Sequence, residues 1–227
     1  MKNFFYNLFR WFAILCGYPL QLIFFKRKTY YEDGVKRKSW RKGGALIISN
    51  HYNVLDYMLN MFLVLPRKLN VVSSEIPYQN KFLSFGMRFF GGIQANRITG
   101  DMGFMRQSAD VIASGKLVQI FPEGRNTDDG EIHPFKKSYI VIAHQAQAPI
   151  IPIITDGNYG FFKRAHVIVG NPIDISAYIT STGPMPTKEE REQANEIVFN
   201  KVLALRKQLE ELKAKSKKSK GNRREQK

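Results

Sequence analysis

ALIISNHYNVLDYMLNMFLVL, residues 45–65, decides the architecture. Its first four residues are apolar, which fits a strand buried on both faces. The polar stretch NHYN interrupts the run, and residues 55–65 then read as a helix. A buried strand, a short loop and a helix make the opening of an α/β unit. Outward from it the alternation recurs. Residues 69–74 (LNVVSS), 117–121 (LVQIF), 149–154 (PIIPII) and 166–169 (HVIV) read as strands. Residues 138–147 read as a helix, and 82–90 as a short helix or an apolar patch facing a membrane. Asp101 is placed to cap a helix that runs through Ala113 and stops at Gly115. Thr187 and Glu190 make a capping box, and Ala194, Ile197, Val198, Val202, Leu205, Leu209 and Leu212 mark one face of the last helix. The fold class expected is α/β, in one domain.

Charge and hydropathy bound the partners. The 227 residues carry +16, with 44% hydrophobic residues and a single cysteine, Cys16. Wholesale disorder and a disulfide scaffold are excluded, and with no cysteine cluster no structural zinc is expected. Residues 26–42 hold +6 and residues 213–227 hold +7, so the rest of the chain is close to neutral. Basic clusters suit an anionic partner, either nucleic acid or an acidic membrane surface. The apolar stretch FFYNLFRWFAILCGYPLQLIFF, residues 4–25, favours the membrane. Asn3, Asn7 and Arg10 recur at helical spacing, Gly17 and Pro19 are expected to break the run, and Tyr6, Trp11 and Tyr18 suit an interface. A surface-lying or re-entrant anchor is therefore favoured over a single span, and a core helix comes third. In a spanning arrangement Lys26, Arg27 and Lys28 would keep the rest cytoplasmic, and one unpaired cysteine agrees with a reducing compartment. The organisation expected is an anchor over 1–28, a domain over 29–212 and a basic, disordered tail over 213–227.

Common signatures of serine hydrolases, nucleotide-dependent enzymes and zinc proteases are absent. What remains is His51 directly after a strand, with Asp56 five positions on. On one helix such positions lie about 140° apart. They meet only when His51 sits in the loop and Asp56 in the first turn of the next helix. An aspartate so placed holds the proton on one imidazole nitrogen and leaves the other as a base. No serine or cysteine nucleophile accompanies the pair, so it suits removal of a proton from a substrate hydroxyl that attacks an activated acyl group. After the strand of residues 117–121, Glu123, Gly124 and Arg125 form a turn that can offer backbone N–H groups and a guanidinium to a phosphate. Arg97, after a short strand in GGIQANR, is placed to add a cation. His133, His144 and His166 show no partner pattern and read as surface or structural residues.

NHYNVLD, GGIQANR, FPEGR and APIIPI, in this order across residues 48–154, resemble the four blocks of the glycerolipid acyltransferases, the lysophosphatidate acyltransferase group. The resemblance covers nearly half the chain. It implies a mixed sheet flanked by helices, with an N-terminal membrane-associating helical segment. The activity implied is acyl transfer from a thioester to the free hydroxyl of a lysophospholipid, 1-acylglycerol-3-phosphate above all, giving phosphatidic acid. His51 then inherits the role of base and Asp56 that of its orienting carboxylate. Arg97, Glu123 and Gly124 would hold the phosphoglycerol head, and residues 149–153 would shape the acyl-donor side. The partners implied are membrane phospholipids, the lysophospholipid acceptor and an acyl thioester of coenzyme A or acyl carrier protein, with no further cofactor, no metal and no nucleic acid, at the cytoplasmic face of the cell membrane. The chain departs from the family pattern in three places. Arg125 stands one position early in the third block, Ser73 stands where a lysine is common, and Ser138 stands for a glycine. Lys136 and Lys137 are placed to restore the missing cation. A lyso-aminolipid or lysocardiolipin acceptor is the alternative within enzymes, and a non-catalytic binder of anionic membranes or nucleic acid is the alternative outside them.

Overall fold

The computed structural model describes residues 2–35, 42–96, 102–127 and 129–225. Arg97 and Asp101 lie outside the described residues, as do positions 36–41 of the first basic cluster. Seven strands form one sheet: β1 (Lys28–Tyr31), β2 (Ala45–Ser49), β3 (Leu69–Ser74), β4 (Gly92–Ala95), β5 (Leu117–Ile120), β6 (Ile150–Thr155) and β7 (His166–Val169). Their order is β1-β7-β6-β2-β5-β3-β4. β6, β2, β5, β3 and β4 run parallel, β7 runs antiparallel to β6, and β1 runs parallel to β7. The sheet is therefore mixed. The carboxyl ends of its five mutually parallel strands share one edge with the amino ends of β1 and β7.

β2 lies at the centre and is buried throughout. Its side chains alternate between two cores. Leu46 and Ile48 join Val118, Ile140, Ile142 and the inner face of the last helix, while Ala45 and Ile47 join Leu59, Phe62, Ile151 and Val167. α1 (Lys2–Phe25) and α2 (Leu55–Leu63) contribute to the second core, and α5 (Gly103–Ala113), α6 (Ser138–Ala146) and α7 (Lys188–Glu225) to the first. The short α3 (Ile76–Gln79) and α4 (Lys81–Phe89) join β3 to β4. The capping box forms as expected: Glu190 N donates to Thr187 Oγ1 at 3.2 Å, and Thr187 N donates to Glu190 Oε2 at 2.9 Å.

Three expectations are corrected. α1 is one continuous helix through Gly17 and Pro19. Gly17 is a point of close approach, because a Cβ there would lie 3.2 Å from the Phe62 ring of α2. Pro19 is exposed, and packing of Ile14 and Phe25 on either side carries the helix past its missing donor. Arg10 of the polar stripe faces the domain rather than solvent. Arg10 is 5% exposed and its Nη2 donates to Leu69 O at 2.6 Å, and Asn7 Oδ1 accepts from Lys68 Nζ. Burial pushes the Arg10 guanidinium below its usual pKa, partly offset by Tyr57. Finally, the basic tail continues α7 to Glu225 instead of lying beyond it as disordered chain. Lys, Ala, Arg and Gln are good helix formers, and a helix already nucleated on its packed face extends at little cost. β1, within the first basic cluster, was not expected as a strand; it starts at Lys28, so the final residue of the expected 1–28 anchor already pairs with β7.

Candidate active site

Four segments converge on the shared edge. The loop after β2 carries His51, the turn after β5 carries Glu123 and Gly124, the loop after β6 carries Tyr159, and Asp56 occupies the first turn of α2. The loop-then-helix geometry that the spacing demands is realised. His51 Nδ1 lies 3.0 Å from Asp56 Oδ2. Asp56 is fully buried and its charge is satisfied by donors. Oδ2 also accepts from Tyr52 N at 2.6 Å and Asn53 N at 2.7 Å, and Oδ1 accepts from the Tyr159 hydroxyl. Burial and the adjacent Asp56 carboxylate push the Tyr159 pKa far up, so its proton stays in the hydrogen bond. With Asp56 accepting from Nδ1–H, the imidazole presents Nε2 as its basic atom. The ring is stacked on Phe121, 3.8 Å between centroids and 15° between planes, and keeps 19% side-chain exposure.

The backbone of His51 is held as firmly as its ring. His51 N donates to Glu123 Oε1 at 3.2 Å, and His51 O accepts from Thr127 N at 2.8 Å and Thr127 Oγ1 at 3.1 Å. Glu123 Oε2 accepts from His133 N at 3.0 Å. Both oxygens of Glu123 are thus bound to backbone amides, and the residue is 4% exposed. Glu123 clamps the loop that carries His51; the sequence suggested a substrate contact for it. Burial raises its pKa, and the two amides oppose the shift in part. Asn50 and Thr155 complete the framework with reciprocal bonds of 3.0 Å that tie the loop after β2 to the end of β6.

Beside Phe121 opens a cavity of about 470 Å³, lined by Val72, Met105, Ile120, Phe121, Gly124 and Lys136 among others. Its walls are mainly apolar, with Lys136, Lys137 and Arg191 as its cations. Gly124 has φ +69°, and a Cβ there would lie 2.9 Å from Lys136 Cε and 3.0 Å from Nζ. Glycine therefore both closes the turn and lets the ammonium sit against it. Arg125 is exposed, stands outside the lining, and its Nη2 lies 3.3 Å from His133 Nδ1. Among the described residues no group of three or more His, Cys, Asp or Glu side chains is arranged to hold a metal.

The structure unites His51 with Asp56, gives Glu123 a clamping place, and sets Gly124 and Lys136 in the cavity wall. Tyr159 and Thr127 are the site residues that the sequence did not disclose. Neither stands at a diagnostic spacing from His51; only the sheet order brings them there.

The family model described as Acyltransferase matches residues 27–156. Human 1-acyl-sn-glycerol-3-phosphate acyltransferase beta is 31% identical over 124 residues, 52% of this chain and 44% of that one. The 1-acyl-sn-glycerol-3-phosphate acyltransferase of Bacillus subtilis (strain 168) is 22% identical over 205 residues, 87% of this chain and 98% of its own. The chain thus spans less than half of the human relative and nearly all of the bacterial one. In structure it resembles the 1-acyl-sn-glycerophosphate (LPA) acyltransferase PlsC from Thermotoga maritima, with a TM-score of 0.56 and 18% identity over 83% of this chain and 73% of that one. That likeness bears on the fold.

Proposed function

Because this chain belongs to the acyltransferase family, we propose that it transfers a fatty acyl group from a thioester to the free hydroxyl of a lysophospholipid, with 1-acylglycerol-3-phosphate as the acceptor. The observation that carries the reading is the 3.0 Å contact of His51 Nδ1 with a buried, fully bonded Asp56, beside an apolar cavity with a cationic wall. His51 Nε2 takes the hydroxyl proton as that oxygen bonds to the thioester carbonyl carbon. The carbon–sulfur bond then breaks, and the thiolate leaves with the proton from the imidazolium. Asp56 stabilises the imidazolium between these steps. Backbone N–H groups of the strand-end loops serve the oxyanion. The cavity takes an acyl chain, and Lys136 meets the acceptor phosphate, the task left open by Ser73.

The reaction belongs at a membrane surface. Phe5, Leu8, Phe12, Leu15 and Leu20 of α1 and Phe82, Leu83 and Phe85 of α4 are exposed, and Phe9 meets Phe89 edge-on at 4.9 Å between ring centroids. By length and composition α1 could cross a bilayer. It is, however, fastened to the domain at two levels, by Arg10 to Leu69 in its first half and by Phe25 to Tyr159 at its carboxyl end. A crossing would draw the sheet into hydrocarbon, so α1 lies in the plane of one leaflet, on the cytoplasmic side.

The test is purified full-length protein in detergent, with acyl-CoA and acyl carrier protein thioesters crossed against a panel of lysolipids. Transfer to 1-acylglycerol-3-phosphate is expected with at least one donor. His51→Ala should lower turnover about 10²–10⁴-fold. Preference for another lysolipid would move the acceptor assignment, and full activity of the variant would overturn the mechanism.

A further inference from the structure

The loop between β6 and β7 presents side chains in three directions. Tyr159 points inward to Asp56. Phe161 and Phe162 point outward, 60% and 103% exposed, with Phe161 packed edge-on against Phe24 of α1 at 5.4 Å between centroids. Lys163 and Arg164 line a second cavity of about 400 Å³, together with Lys26, His166, Lys213 and Ser216. Lys28 adds a fifth cation at the rim, where its Nζ donates to Ser216 Oγ at 2.7 Å.

Among the described residues no acid lines this cavity. Asp156, beneath it, is occupied by His166 Nδ1 at 3.0 Å and Lys213 Nζ at 3.1 Å, and Lys213 Nζ also lies 3.1 Å from Glu210 Oε2. Among the described residues no ion pair engages Lys26, Lys163 or Arg164. The place is distinct from the acyl-transfer site. His51 follows β2; the apolar cavity lies on the β5-β3-β4 side of it, and the cationic one on the β6-β7-β1 side. Cations beside fully exposed phenylalanines match the layering of a bilayer surface, where rings enter the acyl region and ammonium and guanidinium groups stay at phosphate depth. A nucleic-acid duplex would offer the rings nothing.

We propose that Lys26, Lys163 and Arg164, the unpaired cations of this cavity, bind the phosphodiester of an anionic membrane phospholipid, at a site separate from the acceptor. Phe161 and Phe162 supply affinity for any bilayer, and the cations supply the preference for anionic headgroups. The assignment is independent of the acyl-transfer reading, since its test needs no turnover.

The test is partitioning of the full-length protein onto phosphatidylcholine vesicles with and without phosphatidylglycerol. The doubly substituted Lys163→Ala/Arg164→Ala protein should lose about tenfold or more of the gain that phosphatidylglycerol confers, at about 1 kcal/mol per cation. Both side chains are exposed, so folding is preserved, which circular dichroism verifies. Phe162→Ala should weaken binding to both vesicle types alike and leave their ratio unchanged. A control pair of exposed cations remote from the cavity, Lys116→Ala/Lys188→Ala, should keep most of the gain. An equal loss in the control would reduce the effect to net charge and overturn the site. Release by inorganic phosphate, at ionic strength matched with chloride, would assign the cavity to a free anion and overturn the lipid.

Discussion

Two histidine–aspartate pairs stand on the same sheet edge with the same atoms at the same distance. His51 Nδ1 lies 3.0 Å from Asp56 Oδ2, and His166 Nδ1 lies 3.0 Å from Asp156 Oδ2. Both aspartate side chains are buried. Their other partners separate them. Among the described residues the other donors to Asp56 are neutral, two backbone amides and the Tyr159 hydroxyl, which leaves its charge to the imidazole that it faces. Asp156 already faces the Lys213 ammonium at 3.1 Å. Around the first ring are Phe121 and an apolar cavity; around the second are Tyr30 and a ring of cations. The geometry of a pair therefore does not by itself set the two histidines apart. The charge left unneutralised on Asp56, and the apolar cavity beside His51, do, and they favour His51 as the base proposed above.

The largest expected break in this contrast is Asp56→Asn. The amide would set an NH₂ group or a weaker acceptor against the donors of Tyr52, Asn53 and Tyr159, and would remove the charge that supports the imidazolium. Turnover should fall by about two orders of magnitude or more, with vesicle binding retained. Activity within severalfold of wild type would mean that the pair is structural.

Tyr159→Phe sharpens the comparison by removing one neutral donor. A hydrogen bond to a charged group contributes about 1.5–3 kcal/mol. Turnover should drop about tenfold, with a smaller change in KM for the lysolipid, because Tyr159 touches Asp56 and does not line the apolar cavity. A pure KM effect would place Tyr159 in the substrate pocket instead.

Glu123→Gln tests the clamp that only the first pair possesses. Burial raises the Glu123 pKa above its unfolded value. In the window between the two values the folded protein binds more protons, so stability falls as pH rises through it and levels off above. The glutamine variant lacks that slope and has one backbone amide less well satisfied. Urea unfolding of both proteins across the acid range should show wild-type stability declining relative to the variant as pH rises. A flat difference would show that Glu123 does not ionise at a cost.

The smallest effect belongs to His166→Ala, which should leave turnover within about twofold and lower stability by about 1 kcal/mol. A drop as large as that of His51→Ala would make the second pair catalytic.

Much of the architecture was legible because it is local. The strand at Ala45–Ser49, the strand at Leu69–Ser74 and the capping box at Thr187 and Glu190 are written in periodicity and short spacing, and each forms where expected. His51 and Asp56 were legible for the same reason, since a loop entering a helix joins them across five positions. Tyr159 was not, because it reaches Asp56 across 103 positions. Nor were the partners of His166 and His133, Asp156 and Asp129, because nothing in the residue pattern sets a strand end or a turn apart as a meeting place.

α1 shows the boundary most sharply. Composition alone established a long apolar segment with a few polar residues on one side. A polar stripe along an apolar helix can face water or a protein surface equally well, and only docking on α2 and β3 turned Arg10 inward and Phe5, Phe9 and Phe12 outward. The sequence by itself determined the alternation of strand and helix, the candidate base and its orienting acid, and the greasy, basic character of the ends. The tertiary structure decided which neighbours each carboxylate meets and which face of each amphipathic element stays uncovered. Periodicity is encoded in adjacent residues, whereas electrostatic environment is set by chains that meet only when the sheet closes.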